Sequence, residues 1–236
     1  MRTMILSLIL LIAQAATAAP PPAQERLTFN IYYTGIYAGT AVQELHRDGD
    51  VLRATSTAHS ADWLTWLFKV DDRIESISRI EHDRWCPVTY REQIHEGPTR
   101  RDKKITFHSN LTATVEDFRG RWSKTVSVTD ATFDSLSCFA YTRTRQLEPG
   151  MQFAIDIYDG KELHPAVVTV LRRETIRTKA GEFRTVVVRP QLKTGGIFDK
   201  KGELHIWMTD DDRHLPVKMV SKVRIGSVTA ELARIE

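Results

Sequence analysis

Residues 195–232 read GGIFDKKGELHIWMTDDDRHLPVKMVSKVRIGSVTAEL, and their pattern decides the fold. Leu204, Ile206 and Met208 alternate with His205 and Trp207, which is the two-residue period of a half-buried strand. Thr209 to His214 is polar and rich in Asp, and it breaks that alternation as a hairpin loop does. Pro216 has no amide proton, so it belongs at the first residue of the next strand or on an edge. Val217, Met219 and Ser221 then share one face, and Val228, Ala230 and Leu232 share one face of the last strand. This is an antiparallel meander.

The same grammar runs upstream. Leu27, Phe29, Ile31 and Tyr33 alternate with Thr28, Asn30 and Tyr32; Gly35 and Gly39 bracket a tight connection, and Asp48-Gly49-Asp50 is a turn signal. Short strands at 40–46, 51–58, 70–80, 88–95, 103–108, 112–118 and 124–128 are separated by turn residues, the pattern of a sandwich or barrel. Leu136, Phe139, Ala140 and Arg143 fall on helical spacing within 133–143, which predicts a helix packed on the sheet. Beyond Pro149-Gly150, strands are expected at 151–158, 167–171, 174–178 and 183–188. The expectation is a mainly β protein: one antiparallel curved sheet, a barrel-like meander, with one or two short helices. A sandwich of two lobes split near Leu147 is the alternative.

The chain has 236 residues, 42% hydrophobic and 27% charged, which places it among folded globular proteins. Its 33 basic and 30 acidic residues give a net charge of +3, so no global attraction to nucleic acid is expected. The basic run Arg100-Arg101-Asp102-Lys103-Lys104 reads as a solvated hairpin tip. Arg2, the apolar run Met4 to Ala13 and the small-x-small triplet Ala16-Thr17-Ala18 form a secretory signal, residues 1–18, cleaved near Ala18. The run stops well short of the ~20 residues of a spanning helix. Residues 19–25, rich in Ala, Pro and Gln, are expected as a disordered leader, with the β domain covering 26–236. The expected location is the periplasm, with no transmembrane segment in the mature chain. In an exported chain the two cysteines, Cys86 and Cys138, favour a disulfide that would contribute roughly 3–4 kcal/mol. Two separate buried thiols are the alternative.

Asp62-Trp63-Leu64-Thr65-Trp66-Leu67-Phe68 breaks the β rhythm. Trp63, Trp66 and Leu67 lie at i, i+3 and i+4, which suggests a short helix capped by Ser60 or Asp62. Two readings stay open: a buried plug closing one end of the sheet, or an apolar lip that meets lipid or another ligand. Trp63, Trp66, Leu67, Phe68 and Trp207 are therefore the candidate ligand-binding residues. His205, Asp210, Asp211, Asp212 and His214 form the one cluster with metal-ligand chemistry, but they lack the spacing of a calcium loop or a zinc helix and read as a hairpin loop. No Gly-x-Ser-x-Gly elbow and no phosphate-binding glycine loop occurs. No catalytic residue, metal or cofactor is indicated.

Several pieces in order resemble the DUF3108 family of exported bacterial proteins. They are Tyr33-Thr34-Gly35-Ile36-Tyr37-Ala38-Gly39, Thr178-Lys179-Ala180-Gly181-Glu182-Phe183, Ile206 to Asp211, Leu215-Pro216-Val217 and Gly226 to Leu232. The segment 133–143 resembles the family's short mid-chain helix. The resemblance implies an exported β-rich envelope protein and no particular reaction. Three functions follow as expectations: a non-enzymatic protein holding a lipid or other hydrophobic ligand in its curved sheet, an envelope hydrolase acting on cell-wall or lipopolysaccharide material, or an interaction module with an envelope protein partner.

Overall fold

The structure, a computed structural model, describes residues 23–81, 84–192, 203–223 and 225–236. The expected signal peptide, its cleavage site, most of the leader and the Gly195 to Gly202 stretch lie outside the described residues. The chain runs β1 (Gln24–Tyr33), β2 (Ile36–Asp48), β3 (Val51–Ser60), α1 (Asp62–Thr65), β4 (Asp71–Glu81), β5 (Arg84–Glu96), β6 (Thr99–His108), β7 (Thr112–Asp117), β8 (Trp122–Ser127) and β9 (Thr132–Phe133). It continues with α2 (Ser137–Arg143), β10 (Gln152–Tyr158), β11 (Leu163–Thr178), β12 (Gly181–Leu192), β13 (Leu204–Thr209), β14 (Pro216–Lys222) and β15 (Ser227–Ile235).

All 15 strands belong to one sheet, ordered β8-β7-β6-β5-β4-β3-β2-β1-β15-β14-β13-β12-β11-β10-β9. Every neighbouring pair is antiparallel except β9 and β10. The meander therefore folds outward from its two termini: β1 pairs with β15, Phe29 opposite Leu232 and Tyr33 opposite Val228. The sheet curls until its two halves meet through side chains rather than through a ladder. Tyr158 of β10 packs into the cluster of Tyr90, Ile105, Ala113 and Val115 from β5, β6 and β7. The result is barrel-like and unclosed, because no backbone pairing joins β8 to β9.

Side-chain alternation fixes which residues face inward. On β10 to β13 the inward set includes Ile155, Ala166, Val168, Val170, Val186, Val188, Ile206 and Met208, all buried. A second core adjoins this one, and Met219 packs against both. The far end of the β11–β12 hairpin folds across β15, with Ala180 N donating to Leu232 O at 3.3 Å, and Ile176 and Phe183 join Leu27, Phe29, Val217 and Leu232 in that second core.

Four expectations need correction. Residues 167–171 and 174–178 are one strand, since a bulge between Val170 and Arg172 absorbs the break in the alternation. Gln24 and Glu25 are not leader but the start of β1, where the buried Glu25 has a charged partner. The mid-chain helix is shorter than the spacing suggests, because Thr132 and Phe133 pair with β10. Cys86 and Cys138 are free thiols and form no disulfide. Trp85 packs on Ala140 of α2, so its neighbour Cys86 is turned to the other face of β5 and away from the helix that carries Cys138.

Candidate functional site

The interior of the curved sheet is crossed by α2, and charged and polar groups pin both ends of that short helix. At its start, Asp134 Oδ1 accepts the amides of Leu136 and Ser137, each at 2.9 Å, and Asp134 Oδ2 accepts the Ser76 hydroxyl of β4 at 2.8 Å. Burial pushes the Asp134 carboxyl above the ordinary aspartate value although these donors pull the other way. At its end, Arg143 Nη1 and Nη2 donate to the two oxygens of Glu25 at 2.7 and 2.9 Å. Arg143 Nε donates to Arg213 O, and His214 Nδ1 lies 2.8 Å from Arg143 O. The helix is thereby tied to β1, to β4 and to the β13–β14 loop.

Between α2 and the inward faces of β10 to β13 lies a cavity of about 220 Å³. The helix contributes Cys138, Phe139 and Thr142; the strands contribute Ile155, Ile157, Val168, Val188, Leu204 and Ile206. Its two polar groups from the helix are already satisfied. Thr142 donates to Cys138 O at 2.8 Å, and the Cys138 thiol donates to Ser135 O at 3.3 Å. Burial, followed by the nearby Asp134, pushes the Cys138 thiol up to about 12, so it is no nucleophile at neutral pH. Ser135, the third polar residue of the lining, donates its hydroxyl to Tyr90 Oη at 3.2 Å, so the wall favours apolar material. Val168 and Pro190 are register partners in this wall, and the lining reaches Leu204 at the start of β13 and Ile157 near the end of β10, the strand ends farther from the β13–β14 loop.

That same end carries an unusual surface. In this meander the β1–β2, β3–β4, β5–β6, β7–β8 and β14–β15 turns all emerge at one end. Tyr33, Ile36 and Tyr37 are exposed at the first of them. The β3–β4 connection, built on α1, exposes Trp63 at 51%, Trp66 at 82%, Leu67 at 67% and Phe68 at 44%. Phe118 and Trp122 flank the β7–β8 turn, and Ile225 in the β14–β15 turn is 76% exposed. Among the described residues only Leu111, Met151 and Ile235 are large exposed apolar side chains placed elsewhere. The 62–68 segment is therefore a lip and not a buried plug. It is held in place by the Trp63 Nε1 bond to Tyr37 O at 3.2 Å and by Ser60 Oγ accepting the Val70 amide, while Ala61 rather than Ser60 or Asp62 takes the cap position.

The other candidates resolve separately. Trp207 lies on the face opposite Ile206, outside the cavity, with its Nε1 bonded to Glu174 Oε1. None of Trp63, Trp66, Leu67 and Phe68 lines the cavity either. The acidic loop is self-satisfied. Asp211 Oδ1 accepts the Thr209 hydroxyl and the amides of Arg213 and His214, and Asp210 pairs with Arg173 and Arg184. His205 sits near Glu203 at the far end of β13 from His214, so these residues do not converge. Among the described residues no group of three or more His, Cys, Asp or Glu side chains is placed to hold a metal ion. No helix among them is long and apolar enough to cross a membrane.

The sequence profile of a protein family of unknown function, DUF3108, matches residues 28–233. The chain belongs to the DUF3108 family. Its fold is similar to that of a beta-barrel-like DUF1849 protein from Brucella abortus, with 7% identity, TM-score 0.59, and coverage of 92% of this chain and 98% of that one. A Bacteroides fragilis protein with a YmcC-like fold aligns over 94% of this chain and 100% of its own at 11% identity and TM-score 0.40. Comparison of the sequence with curated proteins gives no match. This DUF3108 chain thus shares its architecture with a beta-barrel-like protein and keeps a curved sheet whose interior is only partly filled.

Proposed function

We propose that this DUF3108 protein is a non-enzymatic protein of the bacterial envelope that binds the apolar chain of an amphiphile inside its curved sheet. The observation that carries the reading is the cavity under α2, whose strand-borne lining is entirely aliphatic. Its 220 Å³ falls below the roughly 300–1,000 Å³ of pockets that hold drug-sized ligands, so it suits one chain and not a two-chain lipid. The apolar N-terminal run with its small-x-small site supports export to the periplasm. Asp210 and Asp211 of the acidic loop are engaged in ion pairs and hydrogen bonds of their own, which favours this reading over a hydrolase.

Titration with single-chain amphiphiles of increasing length tests this reading. Each methylene that enters the cavity contributes about 0.8 kcal/mol, so affinity rises about fourfold per methylene until the space is full, then levels off. Leu204→Trp, at a half-buried wall position, fills the cavity and removes that dependence. Affinity that ignores chain length, or survives Leu204→Trp unchanged, contradicts the proposal.

A further inference from the structure

We propose that the aromatic end of the sheet is a docking surface for a lipid bilayer, with Trp63, Trp66 and Leu67 entering the interfacial layer. Four observations lead there. First, the exposed apolar residues stand on separate turns along the curved end of the sheet: 33–37, 61–70, 118–122 and 223–226. Among the described residues they form a discontinuous rim, and a bilayer can be met at many separate points. Second, the rim is rich in Trp and Tyr, the side chains whose apolar body and polar tip suit the headgroup boundary. The two residues that project farthest into solvent, Trp66 and Ile225, are in turns and not in strands, so inserting them breaks no ladder.

Third, cations accompany the aromatics. Arg119 and Arg121 occupy the turn between Phe118 and Trp122, where Asp117 Oδ1 accepts the backbone amides of Arg119 and Gly120. Arg100 at the neighbouring β5–β6 turn donates to the carbonyls of Gly97 and Thr99, which holds its guanidinium at the same end. Such residues reach lipid phosphates while the aromatics insert. Carboxylates stand at this end as well, Asp62 on the lip, Asp117 at the β7–β8 turn and Asp159 and Glu162 in the β10–β11 turn, so the attraction to anionic lipid is local and rests on Arg100, Arg119 and Arg121. Fourth, the lining of the cavity runs toward this end, at Pro190 and Leu204. The fourth point rests on the cavity reading; the first three stand without it.

The lip is also built to hold its shape. Phe68 packs against Gly97 so closely that a Cβ there would lie 2.4 Å from its ring, and Trp63 is tethered to Tyr37 O. Docking therefore needs no folding transition, and its strength scales with the apolar area that enters the interface.

The test is co-sedimentation of the mature chain with phosphatidylcholine vesicles, with and without added phosphatidylglycerol, alongside Trp emission. The wild type sediments with both and its emission shifts to the blue. Trp66→Ser combined with Leu67→Ser, at two exposed positions, keeps the wild-type melting temperature and lowers partitioning by about tenfold or more. Arg119→Gln with Arg121→Gln weakens binding to the anionic vesicles selectively. Leu204→Trp leaves vesicle binding intact, which separates failure of the cavity reading from failure of this one. Wild type that stays in the supernatant overturns the proposal, as does a Trp66/Leu67 variant that sediments like wild type. A concentration-dependent dimer that the same variant abolishes, without vesicle binding, assigns the rim to a second copy and overturns it too.

Discussion

Removing the guanidinium of Arg143 tests whether α2 is held as described. Arg143 and Glu25 form a two-point ion pair whose side chains are 7% and 5% exposed, and the helix forms one wall of the cavity. Arg143→Ala leaves the Glu25 carboxylate buried with no counter-charge and removes the donor to Arg213 O. Breaking a buried pair from one side costs about 3–5 kcal/mol, because the remaining charge keeps its desolvation penalty. At this chain length each kcal/mol lowers the melting temperature by about 2–4 °C, so a drop of about 6–20 °C is expected. Urea unfolding followed by far-UV circular dichroism should show the same loss as a shifted midpoint with unchanged slope. Replacing both partners, Glu25→Leu with Arg143→Met, removes both charges and should recover most of the stability. A single-variant loss under about 1 kcal/mol, or a double variant no better than Arg143→Ala, would refute the reasoning.

Three further outcomes follow. Protein purified without reductant should carry two titratable thiols after denaturation, and native protein at mild alkaline pH should leave Cys138 unalkylated; a mass two protons short of the reduced chain would restore the disulfide. Gly97→Ala should lose about 1–3 kcal/mol in a melting experiment and alter Trp emission from the lip, since Gly97 has φ +52° and its new Cβ meets Phe68; an unchanged melt would mean that the turn relaxes freely. Burial pushes the Asp159 carboxyl up, but the amides of Glu162 and Lys161 and the ring of His164 together hold it below the ordinary aspartate value. Its contribution is thus fully present above the unfolded value of about 3.9 and fades as pH falls through the lower folded one. Asp159→Ala should therefore lower stability at neutral pH, with the gap to wild type closing on acidification; a gap that persists in acid argues against the assignment.

The strands were legible because alternation and turn residues are local signals. Ile206 and Trp207 point to opposite faces as their neighbours require, and Asp48-Gly49 marks a turn where the structure has one. What stayed hidden depends on pairs distant in sequence. Glu25 looks like one more polar residue of a leader until Arg143, 118 residues away, is placed beside it. The cavity wall is built from ordinary β positions such as Val168 and Val188, and only the crossing of α2 shows that they do not close on one another. The bulge at Leu171 disguised one long strand as two. The lip at Trp63 to Phe68 was visible as composition, but exposure is a tertiary property, and only the shared parity of the hairpin turns shows that Tyr33, Phe118, Trp122 and Ile225 stand at the same end. The number of cysteines and the export signal favour pairing Cys86 with Cys138, whereas strand alternation, with Trp85 in the core cluster that includes Ala140, places Cys86 on the other face of β5.

The most direct test of the central claim is native mass spectrometry of the wild-type chain purified without detergent, followed by organic extraction. A cavity under α2 that holds one apolar chain predicts a stoichiometric adduct of a single-chain amphiphile, lost in the Leu204→Trp variant. A bare protein mass with nothing extracted, or an adduct that Leu204→Trp retains, would contradict it.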